Sequence, residues 1–597
     1  MKDKNMKKTI YIFGIVVAAL MVSCNDYLEA PTKSSLDESV IFSTPDLAKG
    51  AVDGIKIPFA ETNSYRGRFI PWYGMNTDAE WYNSSQTAGA NSDLTVYNAS
   101  PSNSNMNTTN NAWAQMYSGI ERANICIRGL RNYGNPEPGT ELGYLLGEAL
   151  TLRAVYYSDL VKAWGDVVAR FEPISTETIY LPKSSRDVIY KQLLIDLEEA
   201  ATLVPWPKET SVTNSVERVN KAFVKGLRAR VALAAGGFSQ YPDGIHRSTD
   251  PDLAMDKMYQ LANKECLEVI QSGTARLEPS FETVFKKNNQ DNINAGDETL
   301  WEIPFADGRG RVVFTFGVRH LSVDQYTGQN RGGQAGPLPN LFYDYDLSDS
   351  RRDVTCVPYQ WGTATNGVSK QELTSLATWM LGKYRYEWMS RYVTSTNDDG
   401  VNKLYMRYAE VVLMAAETAN ELQGPSAAAP YLKLIRKRAF PASQWPTKVD
   451  AYVNALTTKQ AMFNAIVTEH KFEFTGEFIR KEALIRWNLL KTNIDKEKAN
   501  MYALRERTGN YADVPEKLYY RYASDGESLE IYGLNRGETE DKSAEYEFNT
   551  VWVSPSKLVD TKIEAIYTRN PNDYQFWPIW QVFIDGSNNQ LKNDYGY

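Results

Sequence analysis

Two carboxylates, Asp78 and Glu80, sit among large aromatic side chains, Trp72, Tyr73, Trp81 and Tyr82, with Arg66 and Asn76 near them in sequence. Two chemistries suit that mixture. A pair of carboxylates on opposite sides of a sugar is the machinery of a glycosidase. The same residues also suit binding without bond cleavage. Aromatic rings cover the flat C–H faces of a sugar, and Asn, Asp and Arg bond its hydroxyl edges. A tryptophan half covered by a sugar loses on the order of 100 Å² to the ligand, roughly 2–3 kcal/mol before ordering costs. With 73 acidic residues in the chain, some acid pair always fits a hydrolase pattern. Binding is therefore the expected role, with Asp78 and Glu80 bonding hydroxyls or capping a turn. A second aromatic set, Tyr326, Tyr343, Trp361 and Trp379, lies in later loops. Trp113, Trp164 and Trp487 fall on helical stripes and belong to the core.

Other chemistries find no support. The three histidines, His246, His320 and His470, form no HExxH spacing, and neither a GxSxG elbow nor a Walker-type phosphate loop is present. Gly308-Arg309-Gly310-Arg311 reads as a turn. Asp344, Asp346 and Ser348 imitate the start of a calcium loop, but Asp349 stands where its glycine belongs and Thr355 where its glutamate belongs. A solvated acidic loop is expected there, with no metal and no cofactor. Cys126, Cys266 and Cys356 show no CxxC spacing and read as small buried residues, with a Cys126–Cys266 disulfide left open.

The first 24 residues carry a different chemistry. Lys7-Lys8 precede an apolar run, Ile10 to Val22, which is followed by Ser23-Cys24. Basic residues, a short apolar core and a small residue before the cut make an export signal over 1–23. A small residue followed by cysteine is the pattern of bacterial lipoprotein signals, which makes Cys24 the expected lipidated residue, although Met21 stands where such signals usually carry leucine. Several acyl chains hold a protein on a membrane, because each buried methylene contributes about 0.8 kcal/mol. The chain carries a net charge of −8; residues 1–23 hold four lysines and one aspartate, a net +3, so the remainder carries −11. That balance disfavours nucleic acid as a partner.

The elements that must position these residues are mostly helical. Residues 24–43 read as a lipidated tether and 44–597 as one domain. A helical scaffold is expected over 44–62, 113–271 and 404–490. Loop-rich, ligand-side segments are expected over 63–112, 275–403 and 500–575. Helix starts are legible at Ser43-Thr44-Pro45-Asp46 and at Ser184-Ser185-Arg186-Asp187. Leu404–Leu422, Ala427–Arg438, Gln460–Phe474 and Glu477–Leu490 read as helices, and Glu298–Phe305 as a strand. Helix pairs with small residues at their contacts (Gly226, Ala229, Ala234) suggest degenerate tetratricopeptide-like repeats, which stack into broad surfaces.

Several stretches resemble, in order, the SusD/RagB family of Bacteroidetes outer-membrane lipoproteins. They are CNDYLEAP at 24–31, WAQMYSGIERAN at 113–124, GEALTLRAVYYSDLVKAWGD at 147–166, SSRDVIYKQLLIDLEEA at 184–200 and KAFVKGLRARVALAAGGF at 221–238. KLYMRYAEVVLMAAETAN at 403–420, LIRKRAF at 434–440, TEHKFEFTGEFIRKEALIRWNLL at 468–490, FWPIW at 576–580 and DYGY at 594–597 complete the series. His470-Lys471 and Trp580 are small departures from the family pattern. The resemblance implies a mostly α fold of degenerate tetratricopeptide-like pairs with minor β segments, and no enzymatic activity. It also implies a lipid-anchored position on the outer face of the outer membrane and a SusC-like TonB-dependent transporter as partner, to which captured glycan is passed. A peptide-binding member of the same architecture, and a structural lid with little ligand binding of its own, are the alternatives.

Overall fold

A computed structural model describes residues 37–305, 309–394 and 399–597. The export signal, Cys24 and most of the 24–43 tether lie outside the described residues. The end of that tether is helical. Helix α1, Glu38–Ser43, is capped by Asp37, whose carboxylate accepts from Ser39 N at 3.1 Å. Helix α2, Pro45–Asp53, follows with proline in its first turn.

The scaffold is a succession of packed helices: α3 Ala112–Gly129, α4 Glu141–Trp164, α5 Arg186–Leu203, α6 Lys221–Ala235 and α7 Met255–Ser272. Each packs on the next, and α7 then packs on α8, Tyr408–Gln423, which also contacts α9, Pro425–Ala439, and α10, Lys459–Phe474. Helix α4 is the axis, with nearly every residue buried. Close approach is bought by small residues: a Cβ on Gly119 would lie 2.3 Å from the Tyr156 ring, and one on Gly147 would lie 2.5 Å from Val204. The cap expected at Ser184-Ser185 is present, while Thr44, before α2, makes no side-chain cap bond. Thr140 accepts from Gly143 N at 3.0 Å, and Ser185 from Asp187 N at 3.2 Å. Cys126, Cys266 and Cys356 are buried free thiols.

The strands are short. Strands β1, Glu80–Tyr82, and β3, Ala335–Pro337, form one antiparallel pair; β2, Thr299–Ile303, and β4, Lys403–Arg407, form another. Strands β5, Lys517–Tyr522, β6, Leu529–Tyr532, and β7, Phe548–Val551, make a three-stranded sheet with β5 central. Two sequence expectations need correcting here. Leu404–Arg407 is strand, because β4 is buried throughout and gains a ladder with β2, and tertiary pairing overrides helix propensity. Glu477–Leu490 is interrupted: Phe478 and Asn488 adopt left-handed backbone angles (φ 65° and 57°), which leaves α11, Arg480–Arg486, separate from α12, Leu490–Arg505.

A buried ionic network joins the end of α10 to these strands. Arg407 reaches Glu298 and Glu473 at 2.6 Å and Glu477 at 2.8 Å. Arg351 pairs with Asp349, Glu469 and Glu473, and Lys383 with Glu477 at 2.6 Å. Single removal of one partner in such a network leaves an uncompensated buried charge. The TEHKFEFTGE stretch is therefore structural.

Candidate functional site

Most of the ligand-binding side chains expected from sequence are buried in the fold, and Tyr82 and Tyr326 are part-exposed. Arg66 donates to Thr62 at 2.7 Å. Trp72 and Tyr73 lie on the short helix Ile70–Gly74, where Tyr73 donates to the Lys162 carbonyl and the Lys481 ammonium sits 4.2 Å from its ring centre. Asn76 donates to Ile566 O at 3.0 Å and accepts from Tyr82 N at 2.9 Å. Trp81 is wholly buried, with the Lys562 ammonium 4.2 Å above its ring. Trp379 packs between Phe342 and Trp552. Tyr343 accepts from Trp552 Nε1 at 3.0 Å, and Trp361 packs on Tyr326. A sugar platform needs one ring face in water, and these rings have none. Arg66, Trp72, Tyr73, Asn76, Asp78, Trp81, Tyr343, Trp361 and Trp379, expected as ligand contacts, are buried in the described fold and make their contacts with other protein groups.

Asp78 shows why most clearly. Arg480 clamps it through two hydrogen bonds of 2.7 Å, and Asn493 adds a third of 2.8 Å. Burial pushes its carboxyl pKa up, but the Arg480 guanidinium outweighs burial and holds it below the ordinary range. Glu80 makes no ion pair among the described residues, although Arg480 lies near enough to oppose the upward shift. The Glu80 carboxylate accepts from Gly476 N at 3.0 Å, and burial lifts its pKa to about 7. The two acids that suggested a hydrolase therefore face the interior.

Tyr82, at the open end of β1, keeps a part-exposed ring, set edge-on to Trp72 with centroids 5.1 Å apart. Asn83 continues the ladder, donating from its backbone to Gln334 O at 2.8 Å and from its amide to Gly333 O at 2.9 Å. This places Tyr82 beside the 311–336 segment. There Arg319 and Arg331 are exposed, and the Arg331 guanidinium lies 5.6 Å from the Phe314 ring centre. His320 is wholly buried beneath that rim. Its Nδ1 is 2.7 Å from Asp324 and its Nε2 is 3.8 Å from Glu387. Burial pushes the imidazole pKa down, the two carboxylates push it up, and the net shift is upward. Tyr326 closes this side, donating to Glu527 at 3.1 Å.

On the other side of the 82–98 segment lies an open groove of about 670 Å³, walled by Gln86, Asp93 and Asn98 and by Glu564, Tyr567 and Arg569. Its lining of amides, carboxylates, a guanidinium and one ring suits a hydroxyl-rich ligand. A second groove, of about 460 Å³, is lined by Trp113, Tyr117, Ile174, Ile179, Tyr180 and Phe583 and is apolar. Sequence reasoning missed Gln86, Asp93, Asn98, Arg319 and Arg331. The mixture of Asn, Ser and Gln through 83–107 signals the first three, and the arginines near Gly332-Gly333 signal the others. Among the described residues no group of three or more His, Cys, Asp or Glu side chains is placed to hold a metal ion.

A helical-repeat scaffold that carries a loop-built polar face defines a class of binding protein. The model of the SusD family matches residues 283–597, and a second one, described as starch-binding associating with outer membrane, matches 26–233. Two SusD-like proteins of Formosa agariphila are 23% and 25% identical to the chain, over 82% and 80% of it and 91% and 90% of their own lengths. The fold is similar to the crystal structure of a SusD homolog from Bacteroides thetaiotaomicron, with a TM-score of 0.71 at 18% identity, covering 94% of this chain and 99% of that one. It is also similar to surface glycan-binding protein A from Bacteroides thetaiotaomicron in complex with laminarihexaose, with a TM-score of 0.59 at 18% identity, covering 92% and 99%. The chain belongs to the SusD family. Among the described residues no helix is long and apolar enough to cross a membrane.

Proposed function

We propose that the protein is a surface glycan-binding lipoprotein, anchored through Cys24 to the outer leaflet of the outer membrane, that captures oligosaccharide for a SusC-like TonB-dependent transporter. Cys24 lies outside the described residues, and the anchor rests on the sequence pattern and the family. The observation that carries the binding role is Tyr82. Among the aromatic side chains of 63–82 expected to meet a ligand it keeps part of its surface in water, where β1 pairs with the 335–337 backbone, while the polar groove of Gln86, Asp93 and Asn98 lies across the 82–98 segment. Family membership and the laminarihexaose complex of a similar fold support the same reading.

One half-covered ring with a few hydrogen bonds gives weak affinity per site. Repeated epitopes on a polymer raise it, because further binding events become intramolecular. Titration calorimetry with an oligosaccharide panel and a peptide panel tests the proposal. Oligosaccharide binding that falls about fivefold or more in Tyr82→Ala supports it, since a lost ring contact contributes on the order of 1 kcal/mol or more. Binding of peptides alone, or an unchanged affinity in Tyr82→Ala, refutes it.

A further inference from the structure

The protein is acidic, with 73 Asp and Glu against 65 Lys and Arg, and it pairs many of its surface arginines. Arg128 holds Glu38, Arg131 holds Glu199, Arg276 holds Asp297 and Arg521 holds Glu530, at 2.5–2.8 Å. Arg319 and Arg331 depart from this habit. Both are exposed, and neither has an acidic partner among the described residues. Among the described residues the Arg331 guanidinium donates to Asn330, to its carbonyl and side-chain oxygens at 3.0 and 2.9 Å.

The fold brings these two charges to one rim. His320 N donates to Arg331 O at 2.9 Å, and Gly333 N to Gly317 O at 2.9 Å, so the 317–320 and 331–333 backbones run side by side. Gly332 and Gly333, with φ of 104° and 71°, make that contact possible, since a Cβ on either would fall 3.0 Å from Arg319. His320 points inward, so its neighbour Arg319 points outward. Three acids near this rim are engaged inward. Asp324 is bound to His320, Glu387 lies beside the same imidazole, and Asp399 accepts from the backbone of Phe314 and Val401. Phe314 lies under Arg331, with Arg311 on the same ring, and Tyr82 and Gln334 complete the rim.

We infer that the ligand class of this face is an anionic polysaccharide, one whose sugar rings carry carboxylate or sulfate ester groups. The inference rests on the glycan-capture reading and narrows it. Guanidinium forks match planar oxyanions through paired N–H donors. A neutral glycan would leave both cations unmatched, and an acidic protein would otherwise gain by pairing them.

The test is titration calorimetry at about 20 mM and about 0.5 M NaCl, which contrasts long and short screening lengths. The probes are hexagalacturonate, a chondroitin sulfate hexasaccharide and laminarihexaose. The variants are the double Arg319→Gln/Arg331→Gln, Tyr82→Ala and, away from the rim, Arg521→Gln. The expected result is that at least one acidic oligosaccharide binds about tenfold or more tighter than laminarihexaose at low salt, and that the advantage shrinks at high salt. The double variant loses that advantage, with its melting temperature unchanged, and Arg521→Gln keeps it. Hexagalacturonate carries carboxylates alone and the chondroitin sulfate hexasaccharide carries both carboxylates and sulfate esters, so tight binding of the former shows that carboxylates suffice. Laminarihexaose binding as tightly as both acidic probes overturns the inference, as does an unchanged affinity of the double variant for them. If neutral oligosaccharide binds and Tyr82→Ala weakens it, the capture reading stands and only the charge inference falls. If no oligosaccharide binds, both fall.

Discussion

Replacing Asp78 with alanine separates a structural role from a ligand-binding one. The substitution removes two hydrogen bonds of 2.7 Å to Arg480 and one of 2.8 Å from Asn493, all at a side chain only 2% exposed. Arg480 keeps the Val467 carbonyl at 2.9 Å, but its charge loses the carboxylate that matched it. Breaking one side of a buried ion pair costs about 3–5 kcal/mol, most of it from the charge left behind. The urea midpoint of Asp78→Ala should fall accordingly, while the folded fraction binds oligosaccharide as the wild type does. Removing the charge as well, in Asp78→Leu/Arg480→Met, should recover much of the loss, because a buried pair adds little over a well-packed apolar one. The pH dependence has a definite sign. The folded pKa of Asp78 is depressed, so its contribution is present above the unfolded value near 3.9 and is lost as pH falls through the folded value. The stability gap between wild type and Asp78→Ala should therefore be flat above about pH 5 and shrink below it. A variant with an unchanged midpoint and lost oligosaccharide binding would refute this assignment and restore Asp78 as a ligand contact.

Three further outcomes follow from buried groups. Trp81→Ala should lower stability by about 3–5 kcal/mol in urea unfolding, because a wholly buried indole leaves a cavity beside Lys562; full stability would place that ring at a surface. Lys481 is buried between Tyr73 and Tyr97, and burial lowers its pKa to about 7. Its unfolded form binds the proton more tightly, so wild-type stability should rise with pH between about 7 and 10, by up to ~1.4 kcal/mol per unit from this group, and Lys481→Met should lessen that slope. An unaltered slope would show that Lys481 keeps an ordinary pKa. His320 has a raised pKa, so its contribution is complete below about pH 6.5 and is lost as pH rises through the folded value. Hydrogen exchange in 319–327 should quicken over that rise in wild type and show no such step in His320→Gln.

The scaffold was legible in the sequence because it rests on local signals. Thr140, Ser185 and Asn220 cap the helices they precede. Leu146, Leu150, Tyr157 and Val161, at helical spacing in the sequence, are all buried in α4. Leu404–Arg407 was not legible as strand, since its partner, Thr299–Ile303, lies a hundred residues away and only the ladder tells the two states apart. The break after Arg486 depends on Asn488 taking a left-handed angle, which asparagine allows without requiring.

The binding face was the least legible part, for a physical reason that bears on its use. Residues 63–82 have loop composition and carry large rings, a pattern that fits both a sugar platform and a loop anchored by its aromatics. Burial decides between these, and burial here comes from far along the chain: Arg480, Lys562 and the 565–566 carbonyls close over Asn76, Asp78 and Trp81, and Phe478 packs against Gly74. The rings thus hold the loop, and the surface proposed for a ligand is what they support: the edge of Tyr82, the amides of 83–98 and the exposed guanidiniums of Arg319 and Arg331. Such a face gains little from apolar area and more from directed hydrogen bonds and charge, which are sensitive to ligand identity. Discrimination among glycans by this protein should therefore follow the placement of their charged and hydroxyl groups more than the number of their rings. Lengthening a neutral oligosaccharide should raise affinity modestly, and adding one carboxylate or sulfate at fixed length should raise it more.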